Sequence, residues 1–215
     1  MATKSTTDLY EQALETFSKA NEAMVMQSPC RFLLIQASVE FSQVLKSDPN
    51  WFPALFYQAQ VNKHLWSSPT DLKRILQTYQ HLFAQLNGLE DKSLQKEWLL
   101  KAHSERADFL QNLNPEYLNS FAALGAIADL TVCIHLSQHY RFYVKRGRLH
   151  LMQGRLLSAT EDYLLGLKRL GEFKEVAHLT SWATQIDRML QQGKLEPALS
   201  DLMNFWQDQW VYQFV

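Results

Sequence analysis

Apolar residues recur along this chain at the three- and four-residue spacing of helices that bury one face. The first two runs are Leu9, Ala13, Leu14, Phe17 and Ala20, and then Ala37, Phe41 and Val44. Ser28-Pro29 separates them, because proline is tolerated in the first turn of a helix and not deeper. Asp48-Pro49-Asn50 ends the second run. The pattern predicts a pair of helices at the start of the chain.

Helical spacing continues through the middle of the chain. Residues Phe52 to Leu65 form the next predicted helix, and Ser68-Pro69-Thr70-Asp71 begins another with a serine cap and a proline in the first turn. Asn87-Gly88 ends that helix, and residues 93–113 carry an apolar stripe typical of one longer helix. Fewer regular signals follow, so we expect an irregular helical hairpin over about 93–139.

Small and bulky residues follow one another in a particular order between Tyr140 and Gly171. The positions are Tyr143, Gly147, His150, Gly154, Ala159, Tyr163, Gly166 and Gly171. Gly147 and Ala159 lack bulk, so two helix backbones can approach there, and Gly154 provides a permissive backbone where the chain reverses. We therefore predict two antiparallel helices, with Gly171 ending the second.

This order resembles the tetratricopeptide repeat, whose signature runs W-x2-L-G-x2-Y, A-x3-F and P over about 34 residues. Ala37 and Phe41, followed by Pro49, match the second half of that signature. A third match comprises Trp182, Ile186, Met189, Gly193, Ala198 and Leu202. The segment 140–171 departs from the family at Arg146, where leucine is preferred, at His150 in place of tyrosine, and at Gly171 in place of proline.

The resemblance implies an all-α fold, a tetratricopeptide-like array of antiparallel helix hairpins of the α-α superhelix type, with about ten helices. We predict a single domain over residues 1–215, with its clearest repeat at 140–171. Weaker units are expected at about 8–49, 52–87 and 179–207, around the irregular hairpin. Low glycine and proline contents, 7 and 6 residues of 215, agree with a helical protein.

The net charge of −1 does not favour a nucleic-acid-binding protein, whose binding face is normally basic. The chain opens without the apolar core of a signal peptide, and its most apolar segment, Phe121 to Leu136, contains Asp129 and is shorter than a membrane span. We expect a soluble cytoplasmic protein without membrane insertion. Cys30 and Cys133 lie in apolar settings, typical of buried thiols.

Three cations mark the first candidate binding surface. Arg141, Lys145 and Arg148 recur at i, i+4 and i+7, so they project from one side of one helix. In the tetratricopeptide family the first helix of each pair lines a concave groove, and the resemblance places these cations there. They would suit an acidic peptide or a terminal carboxylate. The alternative is a solvated helix face without a ligand.

A second candidate surface lies on the helix that follows Pro49. Its residues are Phe56, Tyr57, Gln60, Lys63 and His64. Aromatic side chains supply contact area at little entropic cost, so this set could anchor a peptide. The same aromatic residues could instead pack against the neighbouring repeat.

Aromatic residues crowd the end of the chain, where a helical array normally has a polar outer face. The candidate interface comprises Trp206, Trp210, Tyr212 and Phe214. One hypothesis is that this segment covers the last repeat or fills the groove. The other is a homodimer contact, because large exposed apolar patches usually mark interfaces.

Catalytic and metal signatures are weak. His135 and His139 have the i, i+4 spacing of zinc ligands on one helix face, close to Cys133, but the glutamate of a metalloprotease motif is missing. No phosphate-binding glycine loop or nucleophile elbow occurs. Carboxylates such as Glu97, Glu105 and Asp108 are scattered, as on solvated helix faces. We predict no cofactor and no metal site.

The sequence therefore predicts a non-enzymatic adaptor or scaffold that binds a protein or peptide partner. Two other hypotheses stay open. One is a secretion-type or assembly chaperone that holds a partner protein. The other is a helical enzyme or metal-binding protein that uses the region of His135 and His139.

Overall fold

The structure is a computed structural model that describes residues 5–113, 120–174 and 177–211. The side chains of 120, 121, 173, 174, 177, 178, 180 and 208–211 are outside that description. Ten α-helices and no strand occur in the described ranges. They are α1 (Thr6–Val25), α2 (Arg31–Ser47), α3 (Phe52–Leu65), α4 (Pro69–Asn87), α5 (Lys92–Gln111), α6 (Ser120–Ser137), α7 (Tyr140–Met152), α8 (Leu156–Lys174), α9 (Ala177–Gln191) and α10 (Leu195–Val211). The predicted all-α helical-hairpin fold is confirmed.

The helix starts follow from local sequence. Ser5 caps α1 by accepting from the backbone N–H of Asp8, whose carboxylate accepts in return from the Ser5 backbone. Ser68 caps α4 in the same position, with Pro69 in the first turn, as the sequence predicts. The bounds of α3 and the end of α4 also match their predicted positions.

Two compact units divide the chain, residues 1–102 and residues 103–215. In the first unit, α1, α2 and α3 enclose a core around Phe17, Phe41, Val44 and Val61. Tyr57 stacks on Phe41 with ring centroids 5.9 Å apart, so α3 is fixed to α2 through an aromatic contact.

The second unit has its core where α7, α8, α9 and α10 meet. Leu167, Ile186 and Leu202 are fully buried there. The turns of both helix pairs use a glycine in the left-handed region, Gly154 at φ +69° and Gly193 at φ +73°. A residue with a side chain would be strained at either position.

Gly147 is the point of closest approach between α7 and α8. A Cβ atom there would lie 3.0 Å from the Tyr163 ring and 3.2 Å from the Ala159 carbonyl oxygen. The predicted close approach of Gly147 and Ala159 is therefore confirmed. Gly171, by contrast, does not end its helix, because α8 continues to Lys174.

No helix in the described ranges is both long enough and apolar enough to span a bilayer. Cys133 is buried, as predicted, and Cys30 is half-buried; the two cysteines form no disulfide. Burial raises the pKa of the Cys133 thiol to about 12, with the carboxylates of Asp129 and Asp108 adding to the effect. A thiol in that environment is a poor nucleophile at neutral pH.

Replacing Gly147 by alanine should destabilise the fold more than the same change at Gly125. Both substitutions gain about 1 kcal/mol of helix propensity. The new methyl group at 147 meets backbone and an aromatic ring, whereas at 125 it meets only the tip of the Leu110 side chain, at 3.2 Å. Urea unfolding should place the Gly147→Ala variant at least ~1 kcal/mol below the Gly125→Ala variant. Equal stabilities would show that α7 and α8 can separate without cost.

Candidate functional site

The candidate site is a cavity of about 570 Å³ in the second unit, bounded mainly by α7, α8 and α10. Its lining residues are Gln111, Val144, Lys145, Arg148, Leu151, Met152, Tyr163, Met203, Trp206 and Gln207. Volumes of this size are typical of ligand-binding pockets. The lining is mostly apolar, with two cations on α7 and two amides at its edges.

Trp206 forms one wall of the cavity and is also part of the core. It is 5% exposed, lies parallel to Tyr140 with ring centroids 6.0 Å apart, and donates from Nε1 to the Tyr163 carbonyl oxygen at 3.3 Å. The indole is thus buried against α7 and α8, which agrees with the hypothesis that this segment covers the last repeat. The side chain of Trp210, and Tyr212 and Phe214 altogether, are outside the described residues, so the homodimer remains a prediction.

The three predicted cations differ in their surroundings. Lys145 is paired with Asp108, its Nζ lying 2.6 and 2.9 Å from the two carboxylate oxygens. Arg141 is exposed and donates from Nε to the Tyr140 hydroxyl at 3.3 Å. Arg148 is exposed and makes no ion pair or hydrogen bond with the described residues. Lys145 and Arg148 line the cavity and Arg141 does not, and of these two Arg148 forms no ion pair with a carboxylate of the described residues.

The sequence predicts a solvated carboxylate at Asp108, but the side chain is two-thirds buried and paired with Lys145. Sequence spacing gave no sign of this contact, because the two residues are 37 positions apart. The contact fixes the lysine at one edge of the cavity.

The contacts of Arg146 account for an arginine at the position where the tetratricopeptide signature has leucine. Its Nε and Nη2 donate to the two carboxylate oxygens of Asp162 at 2.8 and 2.6 Å, and its Nη1 donates to Thr131 Oγ1 at 2.9 Å. Asp162 is 3% exposed, so its charge requires a partner. The guanidinium thus joins α7 to both α6 and α8, where leucine would make only apolar contacts.

A matching cluster joins α5 to α6 in the same unit. Asp129 is 1% exposed and accepts from Arg106 Nε and Nη2 at 2.7 and 2.6 Å. His103 Nδ1 lies 2.7 Å from the same carboxylate. Bidentate pairing of this kind satisfies a buried carboxylate and fixes the helix register.

His150 occupies the position where the family prefers tyrosine, and it is largely buried. Its Nε2 lies 3.9 Å from Asp162 Oδ2, which is too long for a hydrogen bond, and its Nδ1 is buried without a hydrogen-bond partner among the described residues. Burial lowers the pKa of His150, and the nearby Asp162 carboxylate offsets that effect only in part.

The residues of the second predicted surface differ in burial, and part of the set lies in the core of the first unit. Phe56 is 2% exposed and contacts Trp98, with Lys101 Nζ 4.8 Å above the Phe56 ring, while Tyr57 is stacked on Phe41. Phe56 is thus enclosed in the first unit, and half-buried Tyr57 packs there as well, which is the alternative that the sequence leaves open; peptide binding by this set stays a prediction. The remaining residues of the set differ in exposure: Gln60 is buried, Lys63 is half-buried and His64 is exposed.

The predicted helical spacing of His135 and His139 is wrong. Helix α6 ends at Ser137, and Gln138 has a positive φ of 52°, so His139 belongs to the next helix. There its Nδ1 accepts from the backbone N–H of Arg141 as the N-cap of α7. The described residues contain no group of three or more histidine, cysteine or acidic side chains placed to hold a metal ion.

Neither a protein-family model nor a curated protein sequence matches this chain. Among solved structures, the chain is similar to the crystal structure of MamA protein. The TM-score is 0.54 and the sequence identity 13%, with 95% of this chain and 97% of that chain covered. The likeness supports a helical-repeat fold.

Replacing Arg146 by leucine, the residue that the family prefers, should destabilise the protein by about 3–5 kcal/mol, because it leaves the buried Asp162 charge without a partner. Replacing both Arg146 and Asp162 by leucine should recover most of that loss, since no charge then remains buried. Chemical unfolding of the two variants measures the difference. A double variant as unstable as Arg146→Leu would show that volume, not charge, matters at this position.

The free energy of unfolding should fall as the pH drops from about 7.5 to 5.5, because the His150 pKa is lowered in the folded state. In the unfolded chain His150 is protonated near pH 6.5, whereas in the folded chain it is protonated only at a lower pH. The contribution of neutral His150 to the free energy of unfolding is thus present above about pH 6.5 and is lost as the pH falls through the lower, folded-state pKa. In the His150→Gln variant this slope should be smaller; an unchanged slope would assign it to other groups, among them His139, whose pKa is also lowered by burial.

Proposed function

We propose that this protein is a non-enzymatic adaptor whose second unit binds a peptide segment of a partner protein in the cavity between α7, α8 and α10. The observation that carries the proposal is an apolar pocket edged by an unpaired arginine. Val144, Leu151, Tyr163 and Met203 form the apolar part, and Arg148 provides the charge. Such a pocket accepts a bulky apolar side chain next to an acidic group.

An exposed apolar side chain in the cavity supports this proposal. Met152 lines the cavity and is 61% exposed. An exposed apolar residue in a pocket is typical of a surface that a partner covers. The tetratricopeptide-like fold agrees with a protein-binding role.

The charge of the ligand follows from the pairing of the two cations. Asp108 already neutralises Lys145, so an incoming acidic group gains little from it. Arg148 forms no ion pair in the described part of the chain, and a guanidinium can donate two parallel hydrogen bonds to a carboxylate. We therefore assign selection of an acidic residue to Arg148 rather than to three cations acting together.

Reversing the charge of Arg148 tests this function. A display library of twelve-residue peptides, selected on the full chain, should yield sequences that combine an acidic residue with a large apolar one. The Arg148→Glu variant should bind those peptides at least ~10-fold more weakly, as expected for loss of a charge-assisted contact. Isothermal titration calorimetry measures the affinities.

The matched control is Arg188→Glu, which makes the same charge change at an exposed position of α9 outside the cavity. It should bind within about 2-fold of the unchanged chain, since Arg188 does not line the cavity and exposed charges that make no direct contact contribute little. Failure to enrich any peptide, or equal losses in the two variants, would contradict the proposed site. Lys145 is unsuitable for this test because its reversal would place two carboxylates together at Asp108.

A further inference from the structure

A second cavity, of about 290 Å³, lies in the first unit between α2, α3 and α4. The lining of this cavity is polar, whereas that of the cavity in the second unit is mostly apolar. Its inner surface carries Ser38 and Ser42 from α2 and Gln58 and Asn62 from α3. Two cations, Lys46 from α2 and Arg74 from α4, stand at its edge.

The polar groups at the base are held in fixed positions. Gln58 Nε2 donates to Ser38 Oγ at 2.9 Å and to Asn62 Oδ1 at 3.1 Å, and its Oε1 accepts from Ser42 Oγ at 3.2 Å. Gln58 and Asn62 are 7% and 5% exposed. A buried amide network that is fully ordered costs little further entropy when a ligand arrives.

One hydrogen-bond donor of that network, the side-chain amide of Asn62, has no acceptor among the described residues. Asn62 Oδ1 accepts from both Ser38 and Gln58, which assigns its Nδ2 to the other side of the amide, where it makes no hydrogen bond with the described residues. Asn62 also lines the cavity, which makes this amide N–H group the candidate neutral donor for a ligand there.

The two cations also retain donors. Lys46 is exposed and makes no ion pair with the described residues. Arg74 uses Nη2 to contact Asp71 Oδ1 at 3.1 Å, an exposed pair of small energetic value, which leaves Nε and Nη1. No carboxylate lines the cavity within the described ranges. The site therefore offers two positive charges and an amide donor, and the carboxylate next to it, Asp71, contacts only one nitrogen of Arg74.

We propose that this cavity of the first unit binds a phosphoryl group. Its donors come from three different helices, so they reach a ligand from three sides. A tetrahedral phosphoryl group presents three oxygens in different directions, whereas a carboxylate presents two in one plane. Lys46 supplies a point charge, Arg74 a guanidinium fork, and Asn62 an oriented neutral donor.

The site is independent of the peptide cavity in the second unit, because the two share no residue. The phosphoryl group can belong to a free phosphate-containing solute or be esterified to a serine of a partner. Both sources present the same oxygens, and the experiment below separates them.

The test is a titration of the full chain with inorganic phosphate, with a short phosphoserine peptide and with acetate, followed by calorimetry at pH 7.5. Phosphate should bind saturably with a Kd on the order of 1 mM, and acetate at least ~10-fold more weakly. Tighter binding of the phosphoserine peptide than of inorganic phosphate assigns the group to a partner protein, and the reverse assigns it to a free solute. No saturable binding of either phosphate probe, or acetate binding as tightly, would overturn the proposal.

Arg74→Gln and Lys73→Gln form a matched pair of variants for this site. They are adjacent on α4, both exposed, and remove the same charge, but Lys73 does not line the cavity. Arg74→Gln should weaken phosphate binding at least ~10-fold and Lys73→Gln less than ~2-fold. Equal effects would show that any phosphate binding is a general attraction to the helix surface, which would also overturn the site.

Asn62→Asp provides a second variant. It keeps the Oδ1 acceptor for Ser38 and Gln58 and replaces the free N–H donor by a carboxylate oxygen that repels phosphate. Saturable phosphate binding should disappear, while far-ultraviolet circular dichroism stays that of a helical protein. Retained affinity in a folded Asn62→Asp chain would exclude the cavity as the binding site.

Discussion

Buried carboxylates are the constraint on which the second unit depends. Asp129 and Asp162 are almost fully enclosed, and each is held by two guanidinium nitrogens from a neighbouring helix. A carboxylate in such a place destabilises the fold unless it is paired, so each pair fixes the rotation and register of the two helices it joins. Through Thr131, Arg146 extends this restraint from α8 to α6.

That restraint has a consequence for binding. Helix α7 carries both Arg146, which faces Asp162, and Arg148, which lines the cavity. Because α7 is fixed by the ion pair on one side and by the tight contact of Gly147 with Tyr163, Arg148 starts from a fixed backbone position. A side chain presented from a rigid helix loses less entropy on binding than one on a loop.

The two proposed binding cavities differ in the polarity of their lining. The cavity of the second unit is apolar with a single unpaired arginine, which suits a peptide side chain and an acidic neighbour. That of the first unit is polar, with donors from three helices, which suits a compact oxyanion. Two proposed sites with different ligands agree with an adaptor that responds to more than one feature of its partners. Neither site needs a reactive nucleophile or a metal.

The sequence by itself determined the helices, because helical spacing, serine caps, prolines and the glycines at turns act over a few residues. It also determined the close approach at Gly147, since a missing side chain has the same meaning wherever the helix packs. Only the tertiary structure decided which of these residues are paired or buried. Lys145 pairs with Asp108, Arg146 pairs with Asp162, and Phe56 packs in the core, all through contacts with residues 16 to 45 positions away. Such contacts depend on how helices come together in space, and no local spacing in one sequence specifies them.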